Sequence, residues 1–314
     1  MKNLKVASFF AGIGGIDHGF LQANFDVVYA NEFDKFAVKT YEANSDLKVD
    51  CRDIRTVSSN EIPNFDVLVG GFPCQAFSTL GKRQGFLDEK NRGTLCYELF
   101  RIIKDKRPKA FFLENVKGLV YHNAGETLNI IVAELIKLGY NVTYKLMNSA
   151  EYGNVPQNRE RIYIVGFRNK KNLKRFRFPE KIKLTNTLDK CIAFDTLVDE
   201  KYYCRPDSLR YDTLINLNIP ERMIYAYSYG KFKKNKDISF CLTASGRRYY
   251  LGVFRDKTGM RTFTPRECLN LQGYSKDFII PANVSNHQIY KQAGNSVCVS
   301  LIKRIADNIR IALD

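Results

Sequence analysis

The chain has 314 residues, 45% hydrophobic and 26% charged, enough to bury a core in one large domain or in a large and a small one without covalent staples. No stretch approaches the roughly 18 apolar residues that span a bilayer, and Met1 to Phe10 lacks a signal-peptide cleavage pattern, so no membrane partner is expected and a cytoplasmic location is. The 49 Lys and Arg against 33 Asp and Glu leave a formal charge of +16, which favours a polyanionic partner, nucleic acid first, unless it reflects only a lysine-rich composition.

In chain order, the first half alternates apolar runs with amphipathic stretches. Strands are predicted at Leu4–Phe10, Val27–Asn31, Phe65–Gly70 and Ala110–Glu114, and helices at Asp17–Ala23, Phe33–Tyr41, Leu95–Lys106 and Thr127–Leu138. This rhythm, with Gly12, Gly14, Gly15 and Pro63-Asn64 between the runs, predicts an α/β fold built on a doubly wound, mostly parallel sheet. A further strand is predicted at Ile162–Phe167. From about Asn169 the alternation stops: Lys171–Lys183 is rich in Lys, Arg and Phe, short strands are predicted around Ile238–Tyr250, and Gln288–Leu313 is helical in pattern again. The expected division is 1–183 with 284–314 as one domain and 184–283 as a smaller, loop-rich, basic module.

The eight cysteines are scattered, none in a Cys-x-x-Cys pair, and only three histidines accompany them. A structural zinc site needs four clustered ligands, so no metal is expected and most of these thiols should be reduced and buried.

Phe9-Phe10-Ala11-Gly12-Ile13-Gly14-Gly15 follows the first predicted strand and precedes a helix, where an open α/β sheet binds its ligands. A dinucleotide fingerprint would need a third glycine where Asp17 stands, so a pyrophosphate cradle is weakly supported and a plain tight turn remains open. Glu32, just after the second strand, can accept from ribose hydroxyls. Asp53 with Ile54 offers an acceptor for an adenine amino group beside an apolar wall. These residues suit a nucleoside better than a diphosphate.

Gly70-Gly71-Phe72-Pro73-Cys74-Gln75-Ala76-Phe77-Ser78 comes directly after an apolar run. A loop thiol at a strand end faces the cleft, although Pro-Cys taken alone fits a buried structural cysteine better. Phe111-Phe112-Leu113-Glu114-Asn115-Val116 and Gln157-Asn158-Arg159-Glu160-Arg161 also bring polar residues to strand ends. A thiol, a carboxyl and guanidinium groups are therefore expected to converge; a Glu114–arginine salt bridge is compatible with that.

Together these segments resemble the bacterial DNA (cytosine-5)-methyltransferases of restriction-modification systems. The ordered motifs are Phe9–Gly15, Gly71–Ser78, Glu114-Asn115-Val116, Gln157–Gly166, Arg266-Glu267-Cys268 with Leu271-Gln272-Gly273-Tyr274, and Gln292–Val297. The resemblance implies the fold of S-adenosylmethionine-dependent methyltransferases with a small β-containing target-recognition domain. It implies S-adenosyl-L-methionine as methyl donor, S-adenosyl-L-homocysteine as product and double-stranded DNA as substrate. Cys74 would add to cytosine C6, Glu114 would bind or protonate N3, and Arg159 and Arg161 would orient the base. Because C6 lies inside the duplex, the nucleotide must be flipped out. Phe10, Gly12, Gly14, Glu32, Asp53, Ile54, Pro73, Leu95 and Asn295 would hold the cofactor.

Gln75, Ser78, Lys82 and Arg83 are candidates to fill the vacated stack and hold phosphates. In the small domain, Ser239–Arg248 resembles the recognition core, but Cys241 stands where many relatives have threonine, which puts the phosphate contact given to that residue in doubt. Thr243 belongs to the same core. Arg247 or Arg248 would read guanine in a GGCC-like site, and Lys231, Lys233, Lys234 and Lys236 would meet phosphates. A monomer is expected, with a cognate endonuclease acting on the same site without a stable complex. Two rivals remain: a tRNA cytosine-C5 methyltransferase of the same family and a catalytically silent DNA-binding homologue.

Overall fold

The computed structural model describes residues 4–73, 95–204, 220–228, 231–244 and 253–314. In chain order its elements are β1 (Lys5–Phe9), α1 (Gly15–Gln22), β2 (Asp26–Asn31), α2 (Lys35–Glu42), β3 (Val67–Gly71), α3 (Leu95–Lys106), β4 (Ala110–Val116), α4 (Gly118–Tyr121), α5 (Glu126–Lys137), β5 (Asn141–Asn148), α6 (Ser149–Tyr152), β6 (Glu160–Phe167), α7 (Lys170–Arg175), β7 (Ile224–Ser228), β8 (Lys231–Asn235), β9 (Val253–Arg255), β10 (Met260–Thr262), α8 (Pro265–Asn270), α9 (Asn286–Asn295) and α10 (Val299–Leu313). They form two compact units, 1–148 with 160–180 and 301–314, and 149–159 with 181–300.

The first unit carries a six-stranded sheet in the order β2-β1-β3-β4-β6-β5. Strands β1 to β4 run parallel, and β6 is antiparallel to both β4 and β5. The mostly parallel, helix-flanked α/β sheet expected from the sequence is present. Its central strands are near-continuous apolar runs because helices cover both faces: residues 6–9 of β1, 67–70 of β3 and 110–115 of β4 are all buried. α3 turns Cys96, Leu99, Phe100, Ile102 and Ile103 inward at helical spacing. They join Phe111, Leu113, Ile131 and Leu135 in one core cluster. β1 has β2 on one side and β3 on the other, so the connections diverge there and a crevice opens at the carboxyl ends of these strands.

Strand β5 is absent from the predicted elements. Its burial pattern has no clean alternation, as befits the last strand in the order, and mixed residues such as Asn141, Thr143 and Lys145 hide its period. The helical tail is two helices, broken after Asn295. Residues 240–243, within the predicted strands around Ile238–Tyr250, are irregular, and Ser239 makes only an isolated bridge to Gln157.

The second unit holds an antiparallel sheet in the order β10-β9-β7-β8. Arg261, on β10, has a side chain of 0% exposure, and its guanidinium meets Glu267 twice, at 2.8 and 2.9 Å, and Asp256 at 2.7 Å. Glu267 also accepts from the backbone of Thr264 and Ala193, joining the start of α8 to the strand. Removing one partner of a buried charge cluster strands the others in low dielectric. Arg261→Met is therefore expected to lose about 3–5 kcal/mol in urea unfolding; a loss below about 1 kcal/mol would show that the cluster is dispensable.

Candidate active site and nucleic-acid interface

The glycine turn follows β1. Phe10, Gly12 and Gly14 all have positive φ, at 53°, 58° and 82°. A Cβ added at Gly14 would crowd the Tyr41 ring at 3.0 Å, whereas one at Gly12 would meet nothing within 4 Å. The Gly12 turn thus leaves open space above its backbone. Below it, Asp17 is buried at 1% exposure between the Ser8 hydroxyl at 2.5 Å and the Tyr41 hydroxyl at 2.7 Å. Desolvation pushes its carboxyl up to about 6. The residue that breaks the dinucleotide fingerprint therefore ties β1, α1 and α2 together beneath the turn.

Glu32 is half-buried at the end of β2. Its carboxylate accepts from the backbone N–H of Gly12 at 2.8 Å and of Asp34 at 2.7 Å, one on each oxygen, which leaves lone-pair capacity for hydroxyl donors. Residues 50–52 run beside this strand end: Asn31 donates to the carbonyls of Asp50 and Arg52. Asp53 follows, capping a 3₁₀ turn and pairing with Arg55 at 2.5 Å. The Arg55 guanidinium holds its carboxyl below the ordinary aspartate range. Ile54 lies 2% exposed in the core. Phe33, next to Glu32, is 71% exposed and presents an aromatic surface.

At the end of β3, Gly71 pairs in register with Glu114 of β4. A Cβ at Gly71 would stand 3.3 Å from the Glu114 carboxylate, so the acid lies over the strand end from which the chain runs to Pro73. Asn115, 2% exposed, donates to the Phe72 carbonyl at 2.8 Å and fixes the approach to that loop. Arg161 of β6 opposes Val116, and its Nε lies 3.2 Å from Glu114, both side chains being about nine-tenths buried.

Arg159 serves elsewhere. It belongs to the second unit, is 2% exposed, and donates to the main-chain carbonyls of Leu242 and Gly294, each at 3.0 Å, and of Ser296. Its Nη1 also lies 3.6 Å from the Cys241 sulfur. Gln157 receives the Leu242 N–H at 3.1 Å and donates to the Leu271 carbonyl at 2.8 Å, and Gln272 donates to Ala293 at 2.7 Å. Three separate sequence motifs thus close into one buried hydrogen-bonded hub beneath residues 241–244. The expected base-orienting pair is divided: Arg161 meets Glu114, and Arg159 holds backbone.

Comparison with known proteins gives the setting. The family model of the C-5 cytosine-specific DNA methylases matches residues 4–310. The chain belongs to that family. It is a DNA cytosine-5-methyltransferase, similar to the Type II methyltransferase M.Bsp6I of Bacillus sp. (strain RFL6), with 44% identity over 312 residues and 98% of each chain covered. It is also similar to M.SsoII of Shigella sonnei, 42% identical over 323 residues that span 99% of this chain and 81% of the relative. Among solved structures, a DNMT2 mutant of Spodoptera frugiperda superposes with a TM-score of 0.77 over 99% of this chain and 100% of its own, at 22% identity, which speaks for the fold.

Of the family-derived site residues, Cys74, Gln75, Ser78, Lys82, Arg83, Arg247 and Arg248 lie outside the described residues. Leu95 opens α3 and packs against the core; Pro73 and Asn295 are exposed. Thr243 is exposed and Cys241 half-buried. Lys234 and Lys236 are exposed around the end of β8, the last strand of the small sheet. Sequence reading did not single out Phe33, for which an aromatic beside a predicted ribose acceptor was a usable signal. Asn115, Gln157 and Gln272 stood within the quoted motifs, but nothing local marks the distant backbone groups that they hold. Among the described residues no helix is long and apolar enough to cross a membrane, and no three His, Cys, Asp or Glu side chains are grouped to hold a metal.

Proposed function

We propose that this methyltransferase acts on a cytosine flipped out of a short duplex DNA site, with Cys74 as covalent nucleophile. What carries the reading is the Glu114 carboxylate lying over Gly71, three residues before Cys74, and paired with Arg161. Cytosine C5 is too weakly nucleophilic to take a methyl group unaided. Addition of the Cys74 thiolate to C6 moves the ring's electron pair onto C5, while Glu114 in its protonated form gives its proton to N3, so that the adduct forms as a neutral enamine and the negative charge passes to the carboxylate beside Arg161. Arg161 keeps Glu114 oriented. After methylation a base removes the C5 proton, and the S–C6 bond breaks to restore aromaticity. A duplex with 5-fluorocytosine at the target has no C5 proton to lose, so the adduct should persist; mass spectrometry is expected to find the base on Cys74, and attachment elsewhere or not at all would end this mechanism.

The residues present fit S-adenosylmethionine, which supplies an electrophilic methyl group when bound. Glu32 has acceptor capacity for two ribose hydroxyls, Phe33 an aromatic face for adenine, and Asp53, released from a partly exposed pairing with Arg55, an acceptor for the amino group. The open space over Gly12 admits the ligand against backbone. Glu32→Ala is expected to weaken cofactor binding by about 10²–10⁴-fold in calorimetry, the loss of two hydrogen bonds to a charged acceptor; unchanged affinity would remove the ribose contact.

In this reading residues 184–283 recognise the target, Thr243, Arg247 and Arg248 among them, and the lysines of 231–236 hold phosphate. The protein works as a monomer in the cytoplasm, protecting the sites that a cognate endonuclease cuts. The net charge of +16 and Type II methyltransferase relatives favour DNA over tRNA as substrate, and labelled methyl transfer to each polymer decides between them. Bisulfite sequencing of DNA from an expressing host maps the site.

A further inference from the structure

Asn295 is exposed between two buried neighbours, Gly294 and Ser296, and Arg159 donates to the carbonyl oxygens of both. The same guanidinium donates to the carbonyl of Leu242, whose successor Thr243 is also exposed. Gly294 completes the joint. A Cβ added there would stand 2.2 Å from the Thr243 oxygen and 2.6 Å from the Ala244 nitrogen, so the 243–244 backbone rests directly on the end of α9. The partners of Arg159 include carbonyls at this helix C-terminus, which carry partial negative charge and suit a buried cation. Gln157 and Gln272 brace the joint from the other side through Leu242, Leu271 and Ala293.

We infer that Arg159 and Gly294 are positioning residues that couple two ligand sites, so that seating Asn295 on S-adenosylmethionine also sets Thr243 for the DNA backbone. The inference rests on the reading of Asn295 as a cofactor contact and Thr243 as a DNA contact. A joint packed this closely cannot absorb a displacement by compression. A shift of the helix end therefore moves the recognition segment, and linkage makes the effect reciprocal.

The test measures S-adenosylhomocysteine affinity by calorimetry, with and without a duplex containing the mapped site, for the wild type, Gly294→Ala and Arg159→Lys. In the wild type the duplex should tighten S-adenosylhomocysteine by about 5–150-fold; in both variants that ratio should fall to within about twofold of one. A general loss of stability lowers both affinities and leaves their ratio alone, and Arg159→Lys, which keeps a cation, stands in if Gly294→Ala does not fold. A wild-type ratio of one, or wild-type ratios in both variants, would overturn the coupling. Asn295→Ala and Thr243→Ala test the contacts separately: unchanged affinity for S-adenosylhomocysteine in the first or for DNA in the second overturns the assignment beneath the proposal rather than the joint.

Discussion

Cys74→Ser is expected to bind duplex DNA and S-adenosylmethionine within a few-fold of wild type and to lose methyl transfer by on the order of 10⁴-fold or more, the scale seen when an enzyme's nucleophile is removed. The substitution exchanges one side-chain atom for another of similar size, so the expected loss is chemical. A free thiol of pKa near 8.5 is a few per cent ionised at neutral pH and intrinsically very nucleophilic, whereas a serine hydroxyl is essentially never ionised there. The surroundings that remain cannot replace it. Asn115 still pins the Phe72 carbonyl and Glu114 still lies over Gly71, but neither can add to C6. Labelled methyl incorporation measured beside gel-shift binding reads the two effects separately. Near-wild-type turnover would remove covalent catalysis; loss of DNA binding in step with activity would instead make Cys74 a structural thiol.

The frame of this site was legible in the sequence because each part announces itself within a few residues. Apolar runs buried on both faces mark β1, β3 and β4, and the residues just after them, Gly12, Pro73 and the Glu114-Asn115 pair, fall at the strand ends by necessity. What did not read out is decided by partners distant in the chain. Arg159 and Arg161 stand two residues apart, yet one precedes β6 and holds Leu242, Gly294 and Ser296, while the other lies within β6 opposite Val116 and meets Glu114. Periodicity carries no information about that split. Asp53 and Ile54 are neighbours in the chain, yet a 3₁₀ turn points Ile54 into the core while Asp53 caps the turn and meets Arg55. Likewise the tail, continuous in pattern, breaks at Ser296, where Arg159 and Tyr274 take up the carbonyl and hydroxyl of the turn residue.

Glu114→Gln should separate catalysis from architecture in the same site. Glutamine keeps the length of the side chain and one oxygen acceptor, so it can still receive the Arg161 N–H, now without charge. What it loses is the capacity to give or take a proton at cytosine N3, a contribution worth about 10²–10⁴-fold in rate. The expected result is a kcat lowered by that factor, with DNA affinity changed by less than about tenfold. Removing the carboxylate altogether, as in Glu114→Ala, adds a second cost: it leaves the Arg161 guanidinium, 12% exposed, without this counter-charge and destabilises the fold by about 3–5 kcal/mol. The two variants thus predict different signatures, a slow but stable enzyme and a slow and unstable one. Arg161→Lys offers the third corner. If Arg161 acts by orienting Glu114, combining Arg161→Lys with Glu114→Gln should slow the reaction by far less than the product of the single effects, because a misplaced glutamine has no proton left to mishandle. A kcat within threefold of wild type in Glu114→Gln would take N3 chemistry away from this residue, and strict additivity in the double variant would give Arg161 a contact of its own with the base.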